Sequence, residues 1–255
     1  MQIKNIFGRR IAFIALVSLA GIFAGCKAEP APNSGFLAKP QLMKSIDRLP
    51  FDRTYLDPKF SVKNYDKIMV APVNLDYLMP QNLWEQASVV NLSGEVEEEI
   101  FQVGQYTHQA FVEAARNDPR RHFRVVYESG PRTLVLETAL TQLVPSKSLL
   151  NAAELVFWEA YVVAFAGQAA FQSEAGSSGV VAIEGVLRDA QTGQIVAMFA
   201  DRERPKDAII NFRALAWWEP NRRVIDDWAA QLIEVLNAPP GQTVERSGHF
   251  ALLLF

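Results

Sequence analysis

Cys26 is the only cysteine of the chain, and its neighbours narrow what its thiol is for. It follows Ile22, Phe23, Ala24 and Gly25, where a short hydrophobic run ends in small residues. That setting suits a processing site better than a catalytic nucleophile. The three histidines, His108, His122 and His249, are far apart, with no His-x-x-x-His pair and no thiol partner, so spacing builds no metal site. A Gly-x-Ser-x-Gly motif is absent, and Gly176-Ser-Ser-Gly179 lacks the lysine and helix context of a phosphate-binding loop. Acids are plentiful, but spacing singles out no pair for acid-base work. An enzyme would need a site assembled only in the fold, and the expectation is no catalysis, no metal and no cofactor. Two features could serve binding. Trp217-Trp218, between Arg213 and Arg222-Arg223, would offer aromatic faces and nearby cations to a glycan, a lipid headgroup or a protein, although core packing near a helix start is the commoner use of such a pair. Arg202 and Arg204 could meet anionic headgroups or flank a hairpin in solvent.

The segment before Cys26 positions it for export. Lys4, Arg9 and Arg10 stand in an acid-free N-terminus, and Ile11 to Phe23 is almost wholly apolar. At about 13 residues the run falls short of the ~20 that a spanning helix needs, so cleavage is expected over retention. The ending resembles the lipobox of bacterial lipoproteins, with Phe23 where that family prefers leucine. The resemblance implies cleavage between Gly25 and Cys26, a diacylglyceryl group on the thiol and an acylated new amine. Two or more acyl chains hold a protein stably where one does not. Lipoproteins kept in the inner membrane typically carry Asp after the cysteine, so Lys27 implies the outer membrane, facing the periplasm, in a host that has one. The bland alternative is a free or core cysteine behind an ordinary cleavage site.

Removing residues 1–25 takes away three basic residues and no acid, which moves the formal charge from −3 to −6. A nucleic-acid partner is not expected of so acidic a chain. With Cys26 acylated no disulfide can form, and stability must come from a hydrophobic core.

The sequence divides into a signal peptide (1–25), a small, proline-containing tether (26–35), one globular domain (36–240) and a tail (241–255). Residues 36–65 read as an irregular arm over the domain, pinned by Tyr55, Leu56 and Phe60. Lys67 to Leu75 reads as a buried strand whose second half is demoted by Pro72. Val96, Ile100, Val103, Thr107, Ala110, Phe111 and Ala114 recur at helical spacing between Ser93 and Asn117, with a cluster of glutamates in the first turn. Phe123 to Tyr127 and Thr133 to Val144 read as two strands of a hairpin. Residues 149–171 are apolar nearly all round, which fits a buried helix or loop, or a membrane- or partner-binding segment. Val180 to Asp189 and Ile195 to Asp201 flank the Gln191-Thr-Gly-Gln194 turn as a second hairpin. Val224, Ile225, Trp228, Leu232, Val235 and Leu236 predict a second helix, stopped by Pro239 and Pro240.

These elements add up to an α+β or α/β fold, a mixed β-sheet of about five strands with two main helices packed on it. The order of the lipobox, Ser34-Gly-Phe-Leu37, Tyr65-Asp-Lys-Ile68, Phe111-Val-Glu-Ala114, Thr192-Gly193 with Asp201-Arg202, and Asp227-Trp-Ala229 resembles the proteobacterial lipoproteins of domain of unknown function 3313, over most of residues 34–237. A more distant likeness is to the curli secretion lipoprotein and to activators of peptidoglycan synthases. The resemblance implies an envelope location and carries no activity. The expectation is a non-catalytic accessory protein, anchored through its acyl chains, with an envelope protein as partner; the alternative is a lipid- or glycan-binding lipoprotein.

Overall fold

In the computed structural model, residues 30–78, 93–144, 180–204 and 221–247 are described. Six strands, β1 (Arg53–Leu56), β2 (Lys67–Val70), β3 (Arg124–Val125), β4 (Thr133–Val144), β5 (Val180–Asp189) and β6 (Ile195–Glu203), form one mixed sheet in the order β1-β6-β5-β4-β2-β3. Helices α1 (Ser93–Arg116) and α2 (Arg222–Asn237) pack against each other on one face. The fold is α+β, with one strand more than the sequence suggested. The extra strand is β1, inside the stretch read as an arm. Its four residues alternate too briefly to register as a strand, and they are held by antiparallel pairing to β6, Arg53 opposite Ala200 and Leu56 opposite Ala197.

A second correction concerns β3 and β4. They are not a hairpin: both run parallel to β2, which lies between them, with Lys67 opposite Arg124 on one side and Thr133 on the other. The βαβ crossover through α1 lays β3 on the outer side of β2. The Ser129-Gly-Pro131 turn then carries the chain past the start of β2, where the Arg132 carbonyl accepts from the Asp66 and Lys67 amides. β2 stops at Val70, ahead of Pro72, and pairing resumes only as a bridge from Asn74 to Ala139.

β5 and β6 form the expected antiparallel hairpin, and strand alternation sorts their side chains. Val181, Ile183, Leu187, Ala197 and Phe199 face the helices together with Leu134, Leu136 and Leu140 of β4. A bulge between Leu140 and Gln142 inserts one residue, and it returns Leu143 to that same face. Gly185 sits directly under the Phe199 ring, where a Cβ would come within 2.2 Å of it. Any side chain at that position would displace the ring.

On the opposite face Val186, Met198 and Ala200 are covered by Leu37 and Met43 of the arm. Glu184, 1 % exposed, also points there, and Ser34 donates to it from its hydroxyl at 2.6 Å and its amide at 3.3 Å. The arm therefore lies over the sheet and is fastened to it by a polar pin flanked by apolar contacts. α1 and α2 are joined by a hydrogen bond from the Tyr106 hydroxyl to Asp226 at 2.7 Å, with the Arg222 guanidinium 4.4 Å above the Tyr106 ring. Residues 149–171 lie outside the described residues.

Candidate functional site

The helix-facing row of β6 runs Ala197, Phe199, Asp201, Glu203, so an apolar stripe ends in two acids whose side chains enter the core. Asp52, just before β1, joins them. The Asp52 amide donates to Asp201 Oδ1 at 2.9 Å, and the Arg202 amide donates to Asp52 Oδ2 at 3.2 Å. From α2, Trp228, 1 % exposed, donates its indole Nε1 to Asp201 Oδ2 at 2.7 Å. From beyond α2, Arg246 reaches into the cluster: Nη2 donates to Asp201 Oδ1 at 2.6 Å and to Asp52 Oδ1 at 2.9 Å, while Nη1 donates to Glu203 Oε1 at 2.6 Å. Three buried carboxyl groups thus converge on one guanidinium.

The electrostatics of this group follow from burial. Loss of solvent pushes Asp201 up to about 7; Arg246 opposes the rise, Asp52 and Glu203 add to it, and the Trp228 hydrogen bond opposes it. Arg246 is held above its ordinary value because the attraction of Asp201, Glu203 and Asp52 outweighs its own desolvation. The Arg246 guanidinium supplies the counter-charge to the three carboxyl groups. Among the described residues no group of three or more His, Cys, Asp and Glu could hold a metal ion.

The cluster brings together two stretches that the sequence marked separately, Asp201-Arg202 and Asp227-Trp-Ala229. Sequence reasoning missed Asp52, Glu203 and Arg246. Glu203 carried a signal, an acid two residues beyond Asp201 on the inward face of an apolar strand; Asp52 and Arg246 lie in irregular chain where no periodicity marks a side chain as buried. Arg202 and Arg204 are not solvated flanks of the hairpin. Both are half-buried, each with its Nε shielded from solvent; β6 continues through Glu203 and includes Arg202, and Arg204 follows directly. Gly25, Cys26, Trp217, Trp218 and His249 lie outside the described residues. His108 sits 3.2 Å from the Val70 carbonyl and His122 3.3 Å from the Val62 carbonyl, and neither joins the carboxyl cluster.

Two concavities are lined by described residues. An open groove of about 840 Å³ lies between α1 and the segment after β2, lined by Pro72, Val73, Leu75, Phe101, Gly104 and His108 among others, with Phe101 53 % exposed. A pocket of about 350 Å³ lies between the arm and the β5–β6 turn, lined by Lys39, Leu42, Tyr55, Asp57, Arg188 and Gln194 among others. Among the described residues no helix is long and apolar enough to cross a membrane.

A mixed sheet with two helices on one face, an arm on the other and a buried carboxyl–guanidinium cluster defines an α+β domain. Residues 32–232 match the family described as "Protein of unknown function (DUF3313)", and the chain belongs to that family. No curated protein matches it. Among solved structures it is similar to two dodecamers of PelC from Paraburkholderia phytofirmans, one of them a single-substitution variant. The variant is 13 % identical with a TM-score of 0.38, covering 73 % of this chain and 95 % of that one. The other is 12 % identical with a TM-score of 0.39, covering 73 % and 96 %.

Proposed function

We propose that this protein is a lipid-anchored, non-catalytic accessory protein of the cell envelope, held at the periplasmic face of the outer membrane by acyl chains on Cys26, and that it acts by binding another envelope protein. The observation that carries this reading is the seam between anchor and fold. Ser34, eight residues after Cys26, closes on the buried Glu184, and Leu37 and Met43 follow it into the apolar layer. An extended chain covers about 3.5 Å per residue, so Ser34 stays within roughly 28 Å of the anchor. Short tethering raises effective concentration to the millimolar range, and a weak interface is then sufficient. The carboxyl cluster supports the non-catalytic part, because its acids are spent on Arg246, Trp228 and backbone amides. The open α1 groove, with its exposed Phe101, supports a protein partner over an enclosed ligand.

A second reading, a lipid- or glycan-binding lipoprotein, draws on the pocket beside Tyr55, whose volume lies in the range of small-ligand sites.

Crosslinking in living cells, comparing the full-length protein with a Cys26→Ala form exported by the same signal, tests the proposal. The expected result is one dominant envelope protein, recovered less well when Cys26 is replaced. Recovery of lipid or glycan with no protein would overturn it in favour of the second reading.

A further inference from the structure

We infer that the β3 edge of the sheet is a basic docking surface for anionic phospholipid headgroups, a membrane contact separate from the lipid anchor. Residues 116–132 carry five arginines against two acids, Asp118 and Glu128, in a chain whose net charge is −3. The fold gathers Arg116 at the end of α1, Arg120 and Arg121 in the loop after it, and Arg124 on β3, the outermost strand, and all four are exposed. Asp118 does not neutralise them from the surface. It is 3 % exposed, and its carboxylate accepts the amides of Arg120 and His122 and the side-chain amide of Asn237. Arg116 donates to the Tyr127 hydroxyl and Arg120 to the Asn237 carbonyl; both acceptors are neutral, so both charges persist. Among the described residues Arg121 and Arg124 form no ion pair, whereas Arg132 at the rim pairs with Asp66 at 3.0 Å.

The backbone does not account for this choice of residues. Arg121 has φ +48°, the left-handed region that glycine and asparagine enter more easily. Tyr127, 76 % exposed, stands beside Arg116 as an amphipathic ring of the kind enriched at the headgroup level of membranes.

The partner follows from charge and from reach. The docking rests on the anchoring proposed above, which keeps the bilayer within roughly 28 Å of Ser34. Ser34 is fixed to β5, three strand spacings from β3, and at about 4.8 Å each those span roughly 14 Å. Anchor and patch can therefore touch one surface together, which would fix the orientation of the domain.

Vesicle flotation of the exported Cys26→Ala form, which has no acyl chain, tests the patch alone. Expected is binding to phosphatidylcholine vesicles that contain phosphatidylglycerol, none to pure phosphatidylcholine, and loss in high salt. A basic residue near an anionic surface strengthens binding about fivefold, so Arg121→Gln with Arg124→Gln lowers partitioning roughly 25-fold. Lys44→Gln with Arg48→Gln, exposed on the arm, leaves it unchanged. Equal binding to neutral vesicles, no binding, or indifference to the arginine pair overturns the inference, provided the variant melts at the parent temperature. Full-length protein on pure phosphatidylcholine reports the acyl anchor separately, so the two readings fail independently.

Discussion

Raising the pH from 5 to 8 weakens this fold, and replacing Arg246 with methionine makes the weakening steeper. The folded protein holds Asp201 at about 7, against 3.8 for the free side chain, chiefly through burial. Between those values the folded state binds more protons than the unfolded state. Stability therefore falls as pH rises through that window and is level above it. Each unit of displacement corresponds to about 1.4 kcal/mol, so the displacement of Asp201 sets an upper bound of roughly 4 kcal/mol. Asp118 and Asp189 act with the opposite sign and in a lower range. Burial pushes Asp118 up, but hydrogen bonds from Asn237 and from the His122 and Arg120 amides outweigh it and hold it below its usual value. Asp189 is lowered first by the Thr192 amide. Their stabilisation is present above the unfolded value and is lost only as pH falls through the lowered one, so among the described residues the raised carboxyl acting between pH 5 and 7 is Asp201. Arg246→Met keeps volume but removes the counter-charge, and breaking a buried pair from one side costs about 3–5 kcal/mol when the partners are ionised. At pH 5, where Asp201 is protonated, the loss is smaller. Urea unfolding of the Cys26→Ala form and its Arg246→Met derivative, followed by tryptophan fluorescence at both pH values, measures this. Parent stability that rises between pH 5 and 7, or an Arg246→Met penalty equal at pH 5 and 8, would refute the reasoning.

Trp228→Phe keeps most of the apolar contact but strands Asp201 Oδ2, and the expected loss is about 1–3 kcal/mol in urea unfolding, larger at pH 8 than at pH 5. Gly185→Ala forces a methyl into the Phe199 ring; a loss of about 1–3 kcal/mol is expected, with much of it recovered in the Gly185→Ala, Phe199→Leu double variant. Ser34→Ala removes the short hydroxyl bond to Glu184 and leaves the longer amide bond, costs about 1–3 kcal/mol, and raises amide hydrogen exchange in residues 34–44 more than in β4 or α2.

Long periodic segments declared themselves. α1 and α2 repeat apolar residues over several turns, and β5 and β6 flank a turn with Gly193 at φ +69°, so period and punctuation agree there. The misreadings occur where the determining contact is remote in sequence. β1 is four residues that become a strand by pairing with chain more than 140 residues later. The supposed hairpin of β3 and β4 failed because β2, from earlier in the chain, fits between them. The carboxyl cluster shows the same limit: Asp201 and Trp228 each stood in a recognised stretch, but nothing local says that Asp52 and Arg246 meet them. Arg202 and Arg204 looked solvated because charge usually is, and both are half-buried.

The central claim, that Cys26 is an acylated N-terminus, is tested most directly by mass spectrometry of the N-terminal peptide of the protein recovered from membranes. The account predicts that the mature chain begins at Cys26 and carries a diacylglyceryl group on the thiol and a third acyl chain on the amine. A mature N-terminus elsewhere, or an unmodified Cys26 thiol, would contradict it.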